Sequence, residues 1–293
     1  MAPATPANTT AVTYDPSVYR KLFVEEYTTK CLENEIRTDA RTFDASRSMH
    51  IQTNVINSCY SSSLVKLKNT SVITGIQLAV GTPAIDKQTE GDIVIQIHLT
   101  PLCSTRFNVG RACEEANAVS SHISKIIRRA RMIDLTQLSI EKGKSAWNVM
   151  IDVYCIDYDG NIFEVSLMSI MTALQKLRLP ATRVSEVDHK VEIDSDEESR
   201  PLIMQRVLCA TSFAIVNEHV LIDPTSEEEG LASSTFNIIY TTENELFGVY
   251  KPGGTLISPA ILKKCLDTAK NRTKKVAKQL LESLSQGDIP HNS

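Results

Sequence analysis

Three aspartates lie close together in the middle of the chain, at Asp152, Asp157 and Asp159. Residues two apart on a strand share a face, so the carboxylates of Asp157 and Asp159 could bind one metal ion together. Asp159 is followed by Gly160, and an Asp-Gly pair is equally typical of a tight turn. The cluster leaves both interpretations open, and the turn explains it more simply.

Other sequence signatures of chemistry are weak. The chain contains no Walker loop, Gly-x-Gly-x-x-Gly, Gly-x-Ser-x-Gly or His-Glu-x-x-His motif, and its 6 histidines show no ligand spacing. The segment Lys251-Pro252-Gly253-Gly254-Thr255 could hold an anion, although a glycine turn before a helix is the simpler explanation. The 7 cysteines never form a Cys-x-x-Cys pair, which predicts reduced thiols in a cytosolic or nuclear protein.

Composition describes an ordinary soluble globular protein of 293 residues, with 42% hydrophobic residues and a net charge of -4. The net charge argues against a general nucleic-acid binder but allows a local basic stripe. No apolar run approaches the roughly 18–20 residues that a membrane span needs, so we expect no membrane partner. We expect residues 1–14, which resemble no secretory signal, and residues 288–293 to form disordered tails.

The central stretch from Trp147 to Leu179 organises the rest of the chain. Its pattern predicts a buried strand to about Ile156, the Asp159-Gly160 turn, and a helix from about Ile162 to Leu177.

Clusters of strands and turns followed by a helix occur on both sides of this centre, which predicts an α+β fold with two similar halves at residues 15–190 and 200–287. The predicted flanking elements are a helix at 15–34, strands at 48–57, 62–67, 72–80 and 92–99, a helix at 114–131, strands at 184–193, 206–216, 220–222, 235–241 and 245–250, and a helix at 258–286.

The Asp159-Gly160 turn and the following Val165-Ser166-Leu167-Met168 resemble a segment of the RNase PH family. Further short segments match in their order along the chain, so the resemblance covers roughly residues 37–281. The other matching segments are Arg37-Thr38-Asp39-Ala40-Arg41, Ser63-Leu64-Val65-Lys66-Leu67 with Asn69-Thr70, Pro101-Leu102-Cys103-Ser104, Ala210-Thr211-Ser212-Phe213-Ala214, Asp223-Pro224-Thr225, Glu227-Glu228-Glu229 and Lys251-Pro252-Gly253-Gly254. The resemblance implies an RNase PH-like fold, with an N-terminal part like domain 2 of ribosomal protein S5 and a C-terminal part like RNase PH domain 2.

The resemblance also implies where phosphorolysis of RNA would take place. The family binds inorganic phosphate through a Gly-Ser/Thr-Arg run after the Asp turn, and here those positions are Asn161, Ile162 and Phe163. Active members carry two aspartates six positions apart, and here we align them with Asn217 and Asp223. Because the phosphate-binding guanidinium and one carboxylate are missing, we expect a catalytically inactive chain with no metal and no cofactor.

Four arginines are candidates for RNA contact. Arg106 and Arg111 occupy a loop where the family places RNA-binding arginines, and Arg128 and Arg129 end the following helix. Ordinary surface arginines, or cations that stabilise the end of a helix, explain them equally well. Contacts to RNA would add salt-dependent affinity without sequence preference.

Within the family, the later segments resemble the non-catalytic ring subunits of the eukaryotic RNA exosome. This resemblance implies other RNase PH-like subunits as partners, first in a heterodimer and then in a six-membered ring, together with S1/KH-type cap subunits and single-stranded RNA. The implied role is ring assembly and RNA threading in rRNA maturation and mRNA turnover, in the nucleus, nucleolus and cytoplasm.

Two alternatives remain. One is an active phosphate-dependent 3′-to-5′ exoribonuclease that keeps Asp159 and Asp223 and whose site a partner completes. The other, of a different class, is a small-molecule enzyme or a ribosome-associated protein.

Overall fold

The computed structural model of the chain describes residues 16–108, 113–184, 191–194 and 198–286. Contacts divide the chain into two units, Met1–Phe43 and Asp44–Ser293. The smaller unit contains helices α1 (Pro16–Leu22) and α2 (Val24–Glu33), where the sequence predicts a single helix. The interruption is at Phe23, whose backbone φ of -126° and ψ of 56° are not helical.

The larger unit begins with a mixed sheet and one crossover helix. Its elements are β1 (Met49–Thr53), β2 (Ser61–Leu67), β3 (Thr70–Gly81), β4 (Asp92–His98), α3 (Glu114–Ala130), β5 (Ser139–Glu141) and β6 (Ser145–Asp157). The strand order is β1-β2-β3-β6-β4, and β5 pairs with β6. Strands β4 and β6 are parallel and are joined through α3, whereas the other pairs are antiparallel.

Helix α4 (Ile162–Lys176) forms the centre of the core. Every residue from Ile162 to Leu174 is buried, because the helix packs against β1, β2 and β3 and also against the second sheet. The side chains of Ser63 and Thr74 hydrogen-bond to the hydroxyl of Ser169, which satisfies polar groups in this otherwise apolar contact. The central strand and helix therefore match the prediction for Trp147 to Leu179.

Short strands connect α4 to the second sheet. They are β7 (Arg178–Leu179), β8 (Thr182–Val184), β9 (Val191–Ile193) and β10 (Arg200–Pro201). Where the sequence predicts one strand over 184–193, the structure has the antiparallel pair β8 and β9. Residues 195–197, half of the predicted acidic loop at 194–199, lie outside the described residues.

The second sheet is antiparallel, with the strand order β12-β11-β13-β14. The elements are β11 (Leu208–Val216), β12 (His219–Ile222), α5 (Ser226–Leu231), β13 (Ser234–Thr241), β14 (Leu246–Tyr250) and α6 (Pro259–Gln286). Helix α6 packs on β11 and β13, and α4 also contacts β11. Helix α5 is absent from the sequence prediction, although Thr225 and Glu228 form a capping box at its start.

Two sheets covered by helices confirm the predicted α+β class. The boundary predicted between 190 and 200 stays a prediction, and both predicted tails lie outside the described residues. None of the helices that the structure describes combines the length and the hydropathy needed to cross a membrane.

Candidate functional site

The turn between β6 and α4 lies against the segment that follows β12. Gly160 has a φ of +76°, and a Cβ atom on it would lie 2.6 Å from the carbonyl carbon of Thr225. Only glycine combines this left-handed conformation with so close an approach of two backbones. Across the residues that the structure describes, no three His, Cys, Asp or Glu side chains group around a common metal position. The left-handed backbone of Gly160 and its close contact with Thr225 support the turn interpretation of Asp159-Gly160.

Asp223 is fully buried and bound to Arg47. Arg47 Nη2 lies 2.7 Å from Asp223 Oδ1, while its Nε and its backbone N–H donate to Oδ2 at 3.0 and 2.8 Å. Burial alone would raise the pKa of Asp223, but the hydrogen bonds and charge of Arg47 outweigh it and hold that pKa well below its usual range. Asp223 is therefore a fixed anion within the structure and not a proton donor.

Asn161 links three carboxylates. Its side-chain Nδ2 donates to Asp223 Oδ1 at 2.6 Å and to Glu164 Oε2 at 2.9 Å. Its backbone N–H donates to Glu229 Oε1 at 2.8 Å. A neutral amide suits this position, because an aspartate here would place a further negative charge between Asp223 and Glu164.

Glu164 and Arg272 continue this buried polar network into α6. Arg272 Nη2 donates to Glu164 Oε1, and the backbone N–H of Ser212 donates to Oε2 at 3.3 Å. Burial raises the pKa of Glu164, and the charge of Arg272 partly opposes this shift. The chain of contacts from Arg47, which precedes β1, through Asp223 to Arg272 therefore connects α4, β11 and α6.

Glu229 differs from Asp223, because its surroundings raise the pKa of its carboxyl group. Burial raises its pKa to about 7, with a further rise from the Glu115 carboxylate and an opposing effect of the Asn161 N–H. The hydroxyl of Tyr158 donates to Glu115 Oε1 at 2.8 Å and lies 3.4 Å from Glu229 Oε2. A carboxyl group with a pKa near neutrality in a cleft is a candidate acid.

Asn161, Glu115 and Glu229 border a pocket of about 310 Å³. One wall is apolar and contains Ile162, Phe163 and Tyr250, and the polar lining includes Asn161 and Glu229. Phe163 is 6% exposed, so its ring is part of the core as well as part of the wall.

His122 stacks on Tyr250 and tilts against Phe163, and burial lowers the pKa of His122 to about 4. This imidazole is therefore neutral at pH 7.

Arg106 is the single basic residue among the described residues that line the pocket. Its Nη2 lies 3.3 Å from Glu115 Oε2, so a carboxylate already neutralises it. An incoming phosphate would also meet the Glu229 carboxyl at the wall. The described lining is thus poorly suited to a phosphate dianion.

Asn217 lies away from Asp223, and its alignment with one of the family's two aspartates stays a prediction. It lies with Glu218 at the exposed tip of the hairpin, where Val216 pairs with His219, whereas Asp223 follows Ile222 at the other end of β12. The positive φ values of 46° and 67° at Asn217 and Glu218 suit a tight hairpin turn. Glu229 also follows Asp223 by six positions, and both residues contact Asn161.

The three predicted arginines that the structure describes do not line one common cavity. Arg106 borders the pocket, and Arg111 lies outside the described residues. Arg128 donates to Asp92 Oδ1 at 2.9 Å beside a separate cavity of about 590 Å³. Arg129 is exposed in the last turn of α3. Their predicted contacts with RNA stay predictions.

Comparison with known proteins gives consistent matches over most of the chain. Residues 45–180 match the model "3' exoribonuclease family, domain 1" and residues 206–272 match domain 2. The exosome complex component rrp43 of Schizosaccharomyces pombe is 29% identical over 89% of this chain and 96% of its own length. Rrp42 of Methanothermobacter thermautotrophicus is 34% identical over 80% of this chain and 86% of its own length.

Solved structures show the same relationship. A chain of the Archaeoglobus fulgidus exosome with RNA bound to the active site superposes with a TM-score of 0.77 and 28% identity. That match covers 87% of this chain and 96% of the solved one. An archaeal exosome core chain gives a TM-score of 0.75 over 91% of this chain.

Proposed function

This chain belongs to the 3′ exoribonuclease family, the RNase PH family, and we propose that it is a non-catalytic subunit of an exosome core ring. Relatives that match along nearly their whole length are named exosome complex components, which supports the assignment to a ring. The single observation that supports the non-catalytic role is the composition of the pocket at Asn161. Among the described residues that line this pocket, no unpaired cation is available to bind phosphate.

Phosphorolysis requires inorganic phosphate to be held beside the RNA 3′ end. Arginine is well suited to stabilise the charge of phosphate, because its planar guanidinium group can donate two hydrogen bonds to an oxyanion. In this chain Ile162 and Phe163 close that part of the pocket with apolar surface, and Arg106 is paired with Glu115. Losing one hydrogen-bond donor to an oxyanion lowers the rate by on the order of 10²–10³. The loss of all the contacts that hold phosphate therefore abolishes phosphorolysis.

Asp223 is also unable to act as a general acid. Arg47 and Asn161 occupy both of its oxygens, and its pKa is far below neutrality. Protonating it would break the buried ion pair, and a metal would have to displace Arg47. Asp223 thus stabilises the fold in the place where the family resemblance implies a reactive carboxylate.

The proposed role is structural. The chain pairs with a complementary RNase PH-like chain, joins a six-membered ring that carries S1/KH-type caps, and borders the channel through which single-stranded RNA passes. Arg106, Arg111, Arg128 and Arg129 remain the proposed RNA contacts. The proposed processes are rRNA maturation and mRNA turnover in the nucleus, nucleolus and cytoplasm.

One observation favours a second candidate, an active phosphate-dependent exoribonuclease completed by a partner. Glu229 follows Asp223 by six positions, borders the pocket and has a pKa raised to about 7, which suits a general acid. A partner that inserted an arginine beside Phe163 would supply the missing phosphate contact. Among the described residues that line the pocket, Arg106 is the single arginine, and it is paired with Glu115.

Native mass spectrometry of the tagged chain isolated from cells tests ring membership. We expect a complex that contains several different RNase PH-like chains together with this one. A chain that remains monomeric, or that co-purifies with no RNase PH-like partner, would contradict the assignment and favour a small-molecule enzyme or ribosome-associated protein.

A further inference from the structure

Helix α6 presents an exposed basic surface that the proposed role in the ring does not use. The helix contains six lysines and Arg272 against two acidic residues, in a chain whose net charge is -4. All six lysines are exposed, whereas Arg272 is 8% exposed and bound to Glu164. We call these lysines the lysine face: Lys263, Lys264, Lys270, Lys274, Lys275 and Lys278.

The lysine face occupies one side of the helix. At 3.6 residues per turn the six positions fall within a sector of about 140°, and they extend over about 22 Å of helix axis. The residues that pack against the rest of the protein are on the opposite side and include Cys265, Ala269, Val276 and Leu280. The burial of that side fixes the helix and holds the lysines toward solvent.

The lysines are largely unpaired. Within the part of the chain that the structure describes, the lysine face makes one ion pair, between Lys278 Nζ and Glu282 Oε1 at 3.8 Å. Asp267 is the other carboxylate of the helix. The face therefore keeps a clear positive excess, whereas Lys87 and Arg128, two exposed cations elsewhere in the described chain, have acidic partners.

The composition of the face favours a polyanion over a protein partner. Protein interfaces are anchored by buried aromatic, arginine or large apolar side chains. The lysine face has no aromatic residue and no free arginine, and the exposed Leu281 lies beyond its last lysine. Successive lysines at Lys270, Lys274 and Lys278 are about 6 Å apart along the axis, a repeat of point charges that suits a repeating phosphate backbone.

We infer that the lysine face of α6 binds the phosphate backbone of single-stranded RNA on the surface of this subunit, without sequence preference. It forms a second RNA contact, separate from the pocket at Asn161 and from the proposed channel arginines. Because the face has no aromatic platform for base stacking, its affinity is electrostatic and falls steeply with salt.

The test is fluorescence anisotropy of the full-length chain with a short unstructured RNA over a series of salt concentrations. The triple variant Lys270→Gln, Lys274→Gln, Lys278→Gln should weaken binding roughly tenfold or more at low salt and lower the salt slope by about 2. The matched control, Lys66→Gln, Lys87→Gln, Lys144→Gln, removes the same charge from exposed positions outside the helix and should retain the wild-type slope.

Thermal unfolding of both variants checks that the fold is intact, which we expect because all the substituted side chains are exposed. Unchanged RNA affinity in the α6 variant, or an equal loss in the control, would overturn the inference. Binding of an acidic peptide in place of RNA at the same ionic strength would also overturn it. Ring assembly by native mass spectrometry should be unaffected by the α6 variant, so a failure here is distinct from a failure of the proposed function.

Discussion

Both carboxylate oxygens of Asp223 are occupied by Arg47 and Asn161, and this small group decides what the site can do. A buried anion with a bidentate guanidinium partner and an amide neighbour is electrostatically satisfied and has little tendency to exchange a proton. At the scale of single residues, a place expected to hold reactive carboxylates instead holds a structural ion pair.

Replacing Asp223 with Asn should destabilise the protein strongly. The substitution removes the nearer and fully buried counter-ion of the Arg47 guanidinium and leaves only Asp159, whose Oδ2 is 3.5 Å from Arg47 Nη1, at a cost of about 3–5 kcal/mol of unfolding free energy. The pKa of Asp223 is lowered in the folded state, so its stabilisation is present above its unfolded pKa of about 3.9 and is lost as the pH falls. Urea denaturation at neutral pH measures the loss.

The matched control for this substitution is Asn217→Asp, because Asn217 is exposed at the hairpin tip. It should change the unfolding free energy by no more than about 0.5 kcal/mol. If the two variants lost similar stability, Asp223 would not have the anchoring role that its contacts indicate.

Glu229 should give the protein a pH dependence of the opposite sign. Its pKa is about 7 when folded and near the ordinary carboxyl value when unfolded, so the folded state retains a proton that the unfolded state loses. Its contribution to stability is complete below the unfolded pKa and declines as the pH rises through 7, by about 3–4 kcal/mol in total.

Chemical denaturation of Glu229→Gln across pH 5 to 8 isolates this effect, since glutamine cannot ionise. The decline with pH should be shallower in Glu229→Gln than in wild type, while the neighbouring Glu227→Gln should follow wild type. Parallel profiles for Glu229→Gln and wild type would show that Glu229 is ionised normally.

The sequence predicted part of this site and missed its arrangement. Asn161, Ile162 and Phe163 were identifiable because they directly follow the Asp159-Gly160 turn. Glu229 was missed because an acidic run resembles a solvated surface, and its burial depends on how α5 folds against α4. The six-residue interval from Asp223 to Glu229 is the one signal in the sequence that points to it.

At the scale of elements, the turn before α4 couples the two sheets. Gly160 lets the chain pass within contact distance of the backbone at Pro224, Thr225 and Ser226. Arg47 Nη1 donates to the carbonyl of Asp159 at 2.8 Å and so ties the turn to the residues preceding β1. The turn is thus the point where the core helix, the first sheet and the second hairpin meet.

Gly160→Ala should destabilise the fold by about 2–4 kcal/mol, because an alanine Cβ at a φ of +76° would lie within 2.8 Å of three backbone atoms. Gly230→Ala in α5 is the control, since a Cβ atom added to Gly230 would meet no other atom within 4 Å. That change should be neutral or slightly stabilising. Thermal unfolding compares the two, and equal midpoints would contradict the close approach.

Elements with strong periodicity were predictable, and those that depend on tertiary contacts were not. The hydrophobic patterns of β6, α4 and α6 are long enough to predict the type and the extent of each element. The break between α1 and α2 at Phe23 has no proline or glycine to mark it. Helix α5 has only six residues, and its capping box at Thr225 and Glu228 was a recognisable but unused signal in the sequence.

At the scale of the whole molecule, the family fold is retained around a pocket whose chemistry we propose is lost. The two sheets share the buried helix α4, and the polar network from Arg47 to Arg272 crosses between them. The α+β class and the family were readable from segments spread over most of the chain. Which side chains meet around Asn161 was not, because Asp223 and Glu229 come to it only through folding.

The central claim, that this subunit's pocket performs no phosphorolysis, is tested most directly in the assembled ring. The measurement is the phosphate-dependent release of nucleoside diphosphates from single-stranded RNA by rings that contain wild-type chain or its Glu229→Gln variant. We expect equal rates within about twofold. A fall of about a hundredfold or more in the variant ring, the usual effect of losing a general acid, would show that this pocket is catalytic.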